Sequence, residues 1–361
     1  MRVSIKTLSA TAATGLVAAL AGAVPAHAAS TLTVSPGQSI QAAIDKAQPG
    51  DTIVVQKGTY AESLDISTDD ITLVGNGALL TEPSNPAQTL CNQMNGGTIT
   101  GICVHGDITP PSTPDGQPTI NSYRTGVTIS GIAVRGFSED GIFGFATDGL
   151  TVTQTNLQHN GQYGVFDLQS KNVKYTNNFA AYNGDAGLYF GESTGATITG
   201  NRSLNNGLGL LLRSAETGEV ANNIFSGNCT GVLLFKDPSA GTVGGFNIHD
   251  NIVNDNNAAC AGDQEEGKPP LSGIGIGLAG AHDTVIKSNT VYSNRPSGPS
   301  AFSGGILVGA GPDGTVSSND TVTGNTAQQN APVDVGYDGK GTGDTFTGNT
   351  CGVGAGPGVS C

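Results

Sequence analysis

Residues 126–145 read GVTISGIAVRGFSEDGIFGF, and the same phrase returns four more times. The copies are GLTVTQTNLQHNGQYGVFDL (149–168), NVKYTNNFAAYNGDAGLYF (172–190), GATITGNRSLNNGLGLLL (195–212) and GEVANNIFSGNCTGVLLF (218–235). The glycine opening the last part of each copy is Gly141, Gly164, Gly187, Gly209 or Gly231, at spacings of 23, 23, 22 and 22 residues. A fixed period of this length marks a solenoid, in which one turn cannot bury its own apolar face and must stack on its neighbours.

The turn is built of strands. Each copy holds apolar runs of three to five residues, such as Val127–Ile129, Leu188–Phe190 and Val232–Leu234, punctuated by Gly and Asn. Such runs between turn residues are short strands. No stretch within the repeats keeps apolar residues at helical spacing, and no leucine-asparagine consensus of a leucine-rich repeat is present. A parallel β-helix remains, each strand pairing with its equivalent one coil away at about 4.8 Å. Asn156, Asn178, Asn201 and Asn223 recur with the coil, as do Asn160, Asn183, Asn206 and Asn228. Asn tolerates left-handed turns, and stacked amides can bond from coil to coil. Both rows are therefore expected to be structural ladders.

Outward from the repeats, residues 1–28 carry Arg2 and Lys6, an uncharged stretch from Leu8 to Val24, and Ala26-His27-Ala28. That is the pattern of a secretory signal peptide, so one β-helix domain over 29–361 is expected, released outside the cell. No later apolar run approaches membrane-spanning length. The chain has a formal charge of −14, which argues against nucleic acid as a partner. An anionic ligand would need a local basic patch. The six cysteines (Cys91, Cys103, Cys229, Cys260, Cys351, Cys361) are even in number and lack Cys-x-x-Cys spacing, so disulfides are expected rather than zinc. Pairing of neighbours, 91–103, 229–260 and 351–361, would staple one local excursion each.

Ahead of the repeats, Ser39–Ala47 reads as a helix, with Ile40, Ala43, Ile44 and Ala47 on one face and Ser39 as its cap. Laid over the first coil, it would shield an open strand edge. The phrase PGQSIQAAIDKAQPGDTIVVQKGTY (36–60), followed by ITLVGNG, closely resembles the N-terminal cap of secreted right-handed parallel β-helix proteins. That superfamily includes pectate-lyase-like enzymes, alginate epimerases and accessory β-helix proteins of the nitrous-oxide-reductase type. The resemblance implies an all-β, right-handed solenoid of roughly ten to twelve coils, and an extracellular polysaccharide as partner. It does not extend to catalytic phrases. Tyr163–Asp167 is similar to an epimerase phrase, but Leu168-Gln169-Ser170 stands where Pro-His-Asp should follow, and the polygalacturonase phrases are missing.

Loop insertions are expected at 78–125, 258–272 and 296–303, the last two leaving the coil at matching points, where they could wall a groove. In each copy the residue after the marker glycine should point inward and the next one outward. The outward row is Phe143, Phe166, Tyr189, Leu211 and Leu233, which suits either a covering loop or an aromatic platform for sugar rings. Asp167, Glu192, Arg213, Lys236 and Asp237 follow within a few positions. Carboxylates beside Arg and Lys suit elimination on an acidic polysaccharide. Lys236 or Arg213 would be the base, and Asp167, Glu192 and Asp237 would act as acid or hold a cation, calcium being the candidate. His249 beside Asp250 reads as a turn. Two functions stay open, a monomeric carbohydrate-active enzyme of lyase type and a non-catalytic binding or accessory β-helix.

Overall fold

A computed structural model describes residues 28–109, 118–262 and 269–361. The expected signal peptide and the tips of two insertions lie outside the described residues. The chain winds through three parallel ladders per coil. The ladder carrying the marker-glycine strands has eleven members, from Leu64–Ile66 to Gly354–Ala355, within the range the sequence suggests. The other two ladders merge into one 22-stranded sheet, because Thr52–Ala61 and Thr72–Thr81 are long enough to serve both.

Register follows the repeat. Ile142 pairs with Ile102 and Val165, Val165 with Leu188, Leu188 with Leu210, and Leu210 with Val232. All are fully buried, as are Ile276, Ile306 and Val335 further along the row. One apolar core thus runs the length of the solenoid. The marker glycines have a steric cause. A Cβ at Gly164 would lie 2.4 Å from the carbonyl oxygen of Gly187, and one at Gly209 2.4 Å from that of Gly231. Successive coils approach too closely there for any side chain.

The asparagine ladders form, with one change of membership. Asn178 Oδ1 accepts from the Thr155 backbone N–H, and Asn178 Nδ2 donates to Val152 O and Asn201 Oδ1. The same pattern continues through Asn223, Asn251, Asn289, Asn325 and Asn349. Asn156 stands one position out of this row, exposed, while Thr155 takes the buried place. The second row runs from Asn160 through Asn183, Asn206 and Asn228 to Asn330 and ends on Asp334. Buried amides with donors and acceptors satisfied lock the register of the turns.

Helix α1 (Ile40–Ile44) is shorter than the nine residues expected. Ser39 Oγ accepts from Ala42 N–H, and the Glu62 carboxylate takes the N–H groups of Ile40 and Gln41. Ile40 and Ile44 enter the core beside Thr31–Val34 and Leu64–Ile66. A second helix, α2 (Leu90–Met94), lies in the first insertion. The three disulfides are 91–103, 229–260 and 351–361, with no free cysteine. Among the described residues no helix is long and apolar enough to cross a membrane.

Candidate functional site

The outward face of the eleven-stranded ladder carries the apolar row. Phe143, Phe166 and Tyr189 are paired in register, as the alternation requires. Phe166 sits at the centre of a ring cluster, 4.5 Å from Phe143, 4.8 Å from Tyr163 and 4.7 Å from Tyr189, centroid to centroid. The structure corrects the expectation of an open platform at two of the three positions. Phe143 is sealed under the first insertion, where α2, the Cys91–Cys103 bridge and Phe145 pack on it. Tyr189 is only 2% exposed. What stays half-exposed is a strip of Tyr163, Phe166, Leu211 and Phe235. Tyr163, Leu211 and Phe235 join a second cluster with Leu271 and Phe302 of the later insertions. Tyr163 Oη donates to Asp185 at 3.2 Å, and burial raises its pKa.

Both walls of the strip are anchored by disulfides. Cys103 stands in the outward row one coil before Phe143 and ties down α2. Cys229 immediately precedes the strand Thr230–Phe235 and ties down the strand Ala259–Cys260, which pairs antiparallel with Leu271–Ser272.

The five charged candidates do not form one patch. Asp167 pairs with Gly144 and Phe190, so it points into the core and is fully buried. The reason is alternation: it is the third residue after Gly164, on the same side as the first. Gly144 makes the room, since a Cβ there would lie 2.3 Å from Asp167 Oδ2. Neither carboxylate oxygen has a hydrogen-bond partner, and burial pushes the carboxyl well above its usual range.

Arg213 and Asp237 are joined through the guanidinium, with Nε 2.6 Å from Oδ2. Ser239 donates its N–H and hydroxyl to Oδ1 of Asp237. Burial alone would raise the Asp237 carboxyl, but the bonds from Ser239 and Arg213 outweigh it and hold it low. Lys236 Nζ is held by Asp313 at 3.2 Å and donates to the carbonyls of Asp237 and Ala240. Glu192 is exposed and accepts from Gln169 at 3.2 Å. Asp167, Glu192 and Asp237 therefore do not converge on a cation. Among the described residues the one cluster of three ligand-type side chains is Asp65, Cys103 and His105, and Cys103 is in a disulfide. His105 is itself held between Asp65 and the Gly106 carbonyl. His249 is not an idle turn residue, because its ring bridges Glu219 and Asp250.

The repeat also shapes a cleft that was not legible beforehand. At the corner after each of the first four marker strands one residue takes a left-handed backbone: Ala146, Gln169, Glu192 and Ser214, with φ between 47° and 53°. This corner turns the Gln169 and Glu192 side chains outward. Beside it, the arm formed by Asp107–Thr109 and Thr119–Ser122 borders an open cleft of about 340 Å³ lined by Ile120, Tyr123, Gln169, Lys171, Glu192 and Thr194. Lys171 Nζ sits 4.0 Å from the Tyr123 ring centroid. These residues lie far apart in sequence, and only the repeat period could have pointed to Gln169 and Glu192 together.

A family model for the right-handed β-helix region matches residues 119–267. No curated protein sequence matches the chain. Among solved structures, the periplasmic alginate epimerase AlgG is similar, with 14% identity, a TM-score of 0.56, and coverage of 89% of this chain and 84% of that one. The A-module of the Azotobacter vinelandii mannuronan C-5 epimerase AlgE6 gives 17% identity and a TM-score of 0.53 over 89% of this chain and 94% of that one. XylC in complex with xylose gives 9% and 0.54 over 88% and 69%. Identities this low speak for shared architecture. With its coil register, its satisfied asparagine ladders and these likenesses, the chain folds as a right-handed parallel β-helix.

Proposed function

We propose that the chain is a secreted, monomeric glycan-binding protein, taking a polysaccharide along the outward face of its eleven-stranded ladder. The observation that carries this reading is the half-exposed strip of Tyr163, Phe166, Leu211 and Phe235 between two walls, each stapled by a disulfide. Aromatic edges in a rigid trough suit sugar rings, whose C–H faces stack on them while hydroxyls reach the polar rim. Alginate and mannuronan epimerases are among the solved structures that share the β-helix fold. The disulfides fit an oxidising compartment.

Elimination on an acidic polysaccharide is the second reading, and it needs a free base. Arg213 and Lys236 are both held in ion pairs, so binding is placed ahead of turnover. The test is a panel of neutral and acidic polysaccharides, followed by affinity electrophoresis and by the ultraviolet absorbance of unsaturated uronates, with and without calcium. Binding without absorbance change is expected, and Phe166→Ala should weaken it about tenfold. No retention on any glycan would overturn the proposal, and growing absorbance would restore the lyase.

A further inference from the structure

We propose that the cleft between the first-insertion arm and the coil corners is a subsite for one uncharged, hydroxyl-rich sugar ring, with Tyr123 as its stacking face. This rests on the glycan reading and adds the class of ligand and the place where it is gripped.

The charge balance carries the inference. Along the trough each cation has its own counter-ion: Arg213 with Asp237, and Lys236 with Asp313. Neither leaves a surplus positive charge for a uronate carboxylate. The cleft itself holds Lys171 and Glu192, whose charges sum to zero. Around it lies a chain of net charge −14. Such a surface repels a polyanion at long range and offers no compensating patch at short range. A neutral ring needs neither.

The lining matches what a neutral ring does need. Lys171 donates, the Glu192 carboxylate accepts, and the Gln169 amide does both. Among the described residues Lys171 has no carboxylate within ion-pairing distance, and its ammonium rests instead on the Tyr123 ring. Among the described residues the Glu192 carboxylate accepts a hydrogen bond from Gln169 alone. Their hydrogen-bonding capacity is thus largely free for a ligand. A sugar stacking on Tyr123 would displace the ammonium from the ring face and leave it beside the ring's hydroxyls. The cavity, about 340 Å³, has room for a monosaccharide unit. Tyr123 and Phe166 pack on one apolar cluster, which sets the cleft beside the strip.

The experiment is calorimetric titration of the full chain with two neutral probes, xylohexaose and cellohexaose, and one acidic probe, hexagalacturonate, at low and high salt. A neutral probe should bind with an affinity that changes less than about twofold with salt. Tyr123→Ala should lose about tenfold and Tyr123→Phe should not, and the double variant Lys171→Gln, Glu192→Gln should weaken binding without creating salt dependence. Unchanged thermal unfolding of each variant separates binding loss from misfolding. Tighter, salt-sensitive binding of hexagalacturonate would overturn the uncharged class. Full affinity in Tyr123→Ala, with loss in Phe166→Ala, would overturn the cleft while leaving the trough standing. Binding of no probe would overturn the subsite together with the glycan reading.

Discussion

Asp167 shows how a single rung can carry a misfit. Its neighbours in register are Gly144, which vacates the space, and Phe190. Burial dominates and raises its pKa, and the nearby hydroxyls of Ser170 and Thr147, which make no hydrogen bond to either oxygen, offset it only in part. An unfolded Asp ionises at much lower pH, so the buried acid withdraws stability as pH rises. Asp167→Asn removes the titration while keeping the shape. It should leave stability near pH 4 unchanged and raise it at pH 8 by about 1–3 kcal/mol. Urea unfolding at the two pH values measures this, and equal shifts at both would refute the assignment of the effect to ionisation.

At the scale of elements, the two trough walls depend on covalent anchors because their own cores are small. Among the described residues the strand Ala259–Cys260 pairs only with Leu271–Ser272, and Cys260 ties it to the coil. Replacing Cys229 and Cys260 together by Ser should cost about 3 kcal/mol. It should also expose 258–272 to proteolysis before the coils unfold. Limited digestion with mass mapping checks it, and cleavage elsewhere first would contradict it.

The legibility of these elements differed for physical reasons. The coils were readable because their contacts repeat: the carbonyl at the Cβ position of Gly164 and the amide bonds of Asn178 impose the same residue every turn. Asn156 misled because a neighbouring Thr155 can accept the same role with a hydroxyl. The site was harder. Asp167 could have been placed inside by alternation alone. The covering of Phe143 by α2 and the meeting of Tyr123 with Lys171 depend on insertions that obey no period, so nothing local in sequence announces them.

For the whole molecule, the titrating groups push in two directions. Burial raises Asp140 and Asp167 well above the usual carboxylate range and Asp320 to about 7. Burial works to lower His105 and His282, but their carboxylate partners outweigh it and raise both. Every one of these groups holds its proton more tightly when folded. A raised histidine therefore adds stability that is lost as pH rises from about 6.5 through the folded value, and a raised carboxyl withdraws stability from about pH 4 up to its own folded value. Hydrogen bonds from Thr315 hold Asp313 at about 2, and Asp237 is also lowered, so their contributions vanish as pH falls below the ordinary carboxylate value. Stability should therefore peak near pH 4 to 5, below the common optimum. Asp320 stacks on Asp344, which accepts its backbone N–H at 2.9 Å, and burial with this neighbour explains the raised value. Asp320→Asn should flatten the decline from about pH 4 to 7, by an amount on the order of 4 kcal/mol at most. A melting temperature that climbs steadily over that range would refute this balance.

The asparagine ladders also make the coil a unit of length. Asn201 and Asn223 occupy equivalent places in one ladder, and each bonds its predecessor in the same way. Excising residues 201–222 would therefore splice Gly200 onto Asn223 with every stacking partner renewed. The shortened chain should fold cooperatively, with a trough one rung, about 4.8 Å, shorter and a correspondingly smaller denaturant slope. Removing half as many residues should abolish folding, because the two ladders would then meet out of phase. Circular dichroism and urea titration of the two deletions decide the matter. A protein built this way can be tuned to the span of its ligand by whole turns, as a ruler is cut at its marks.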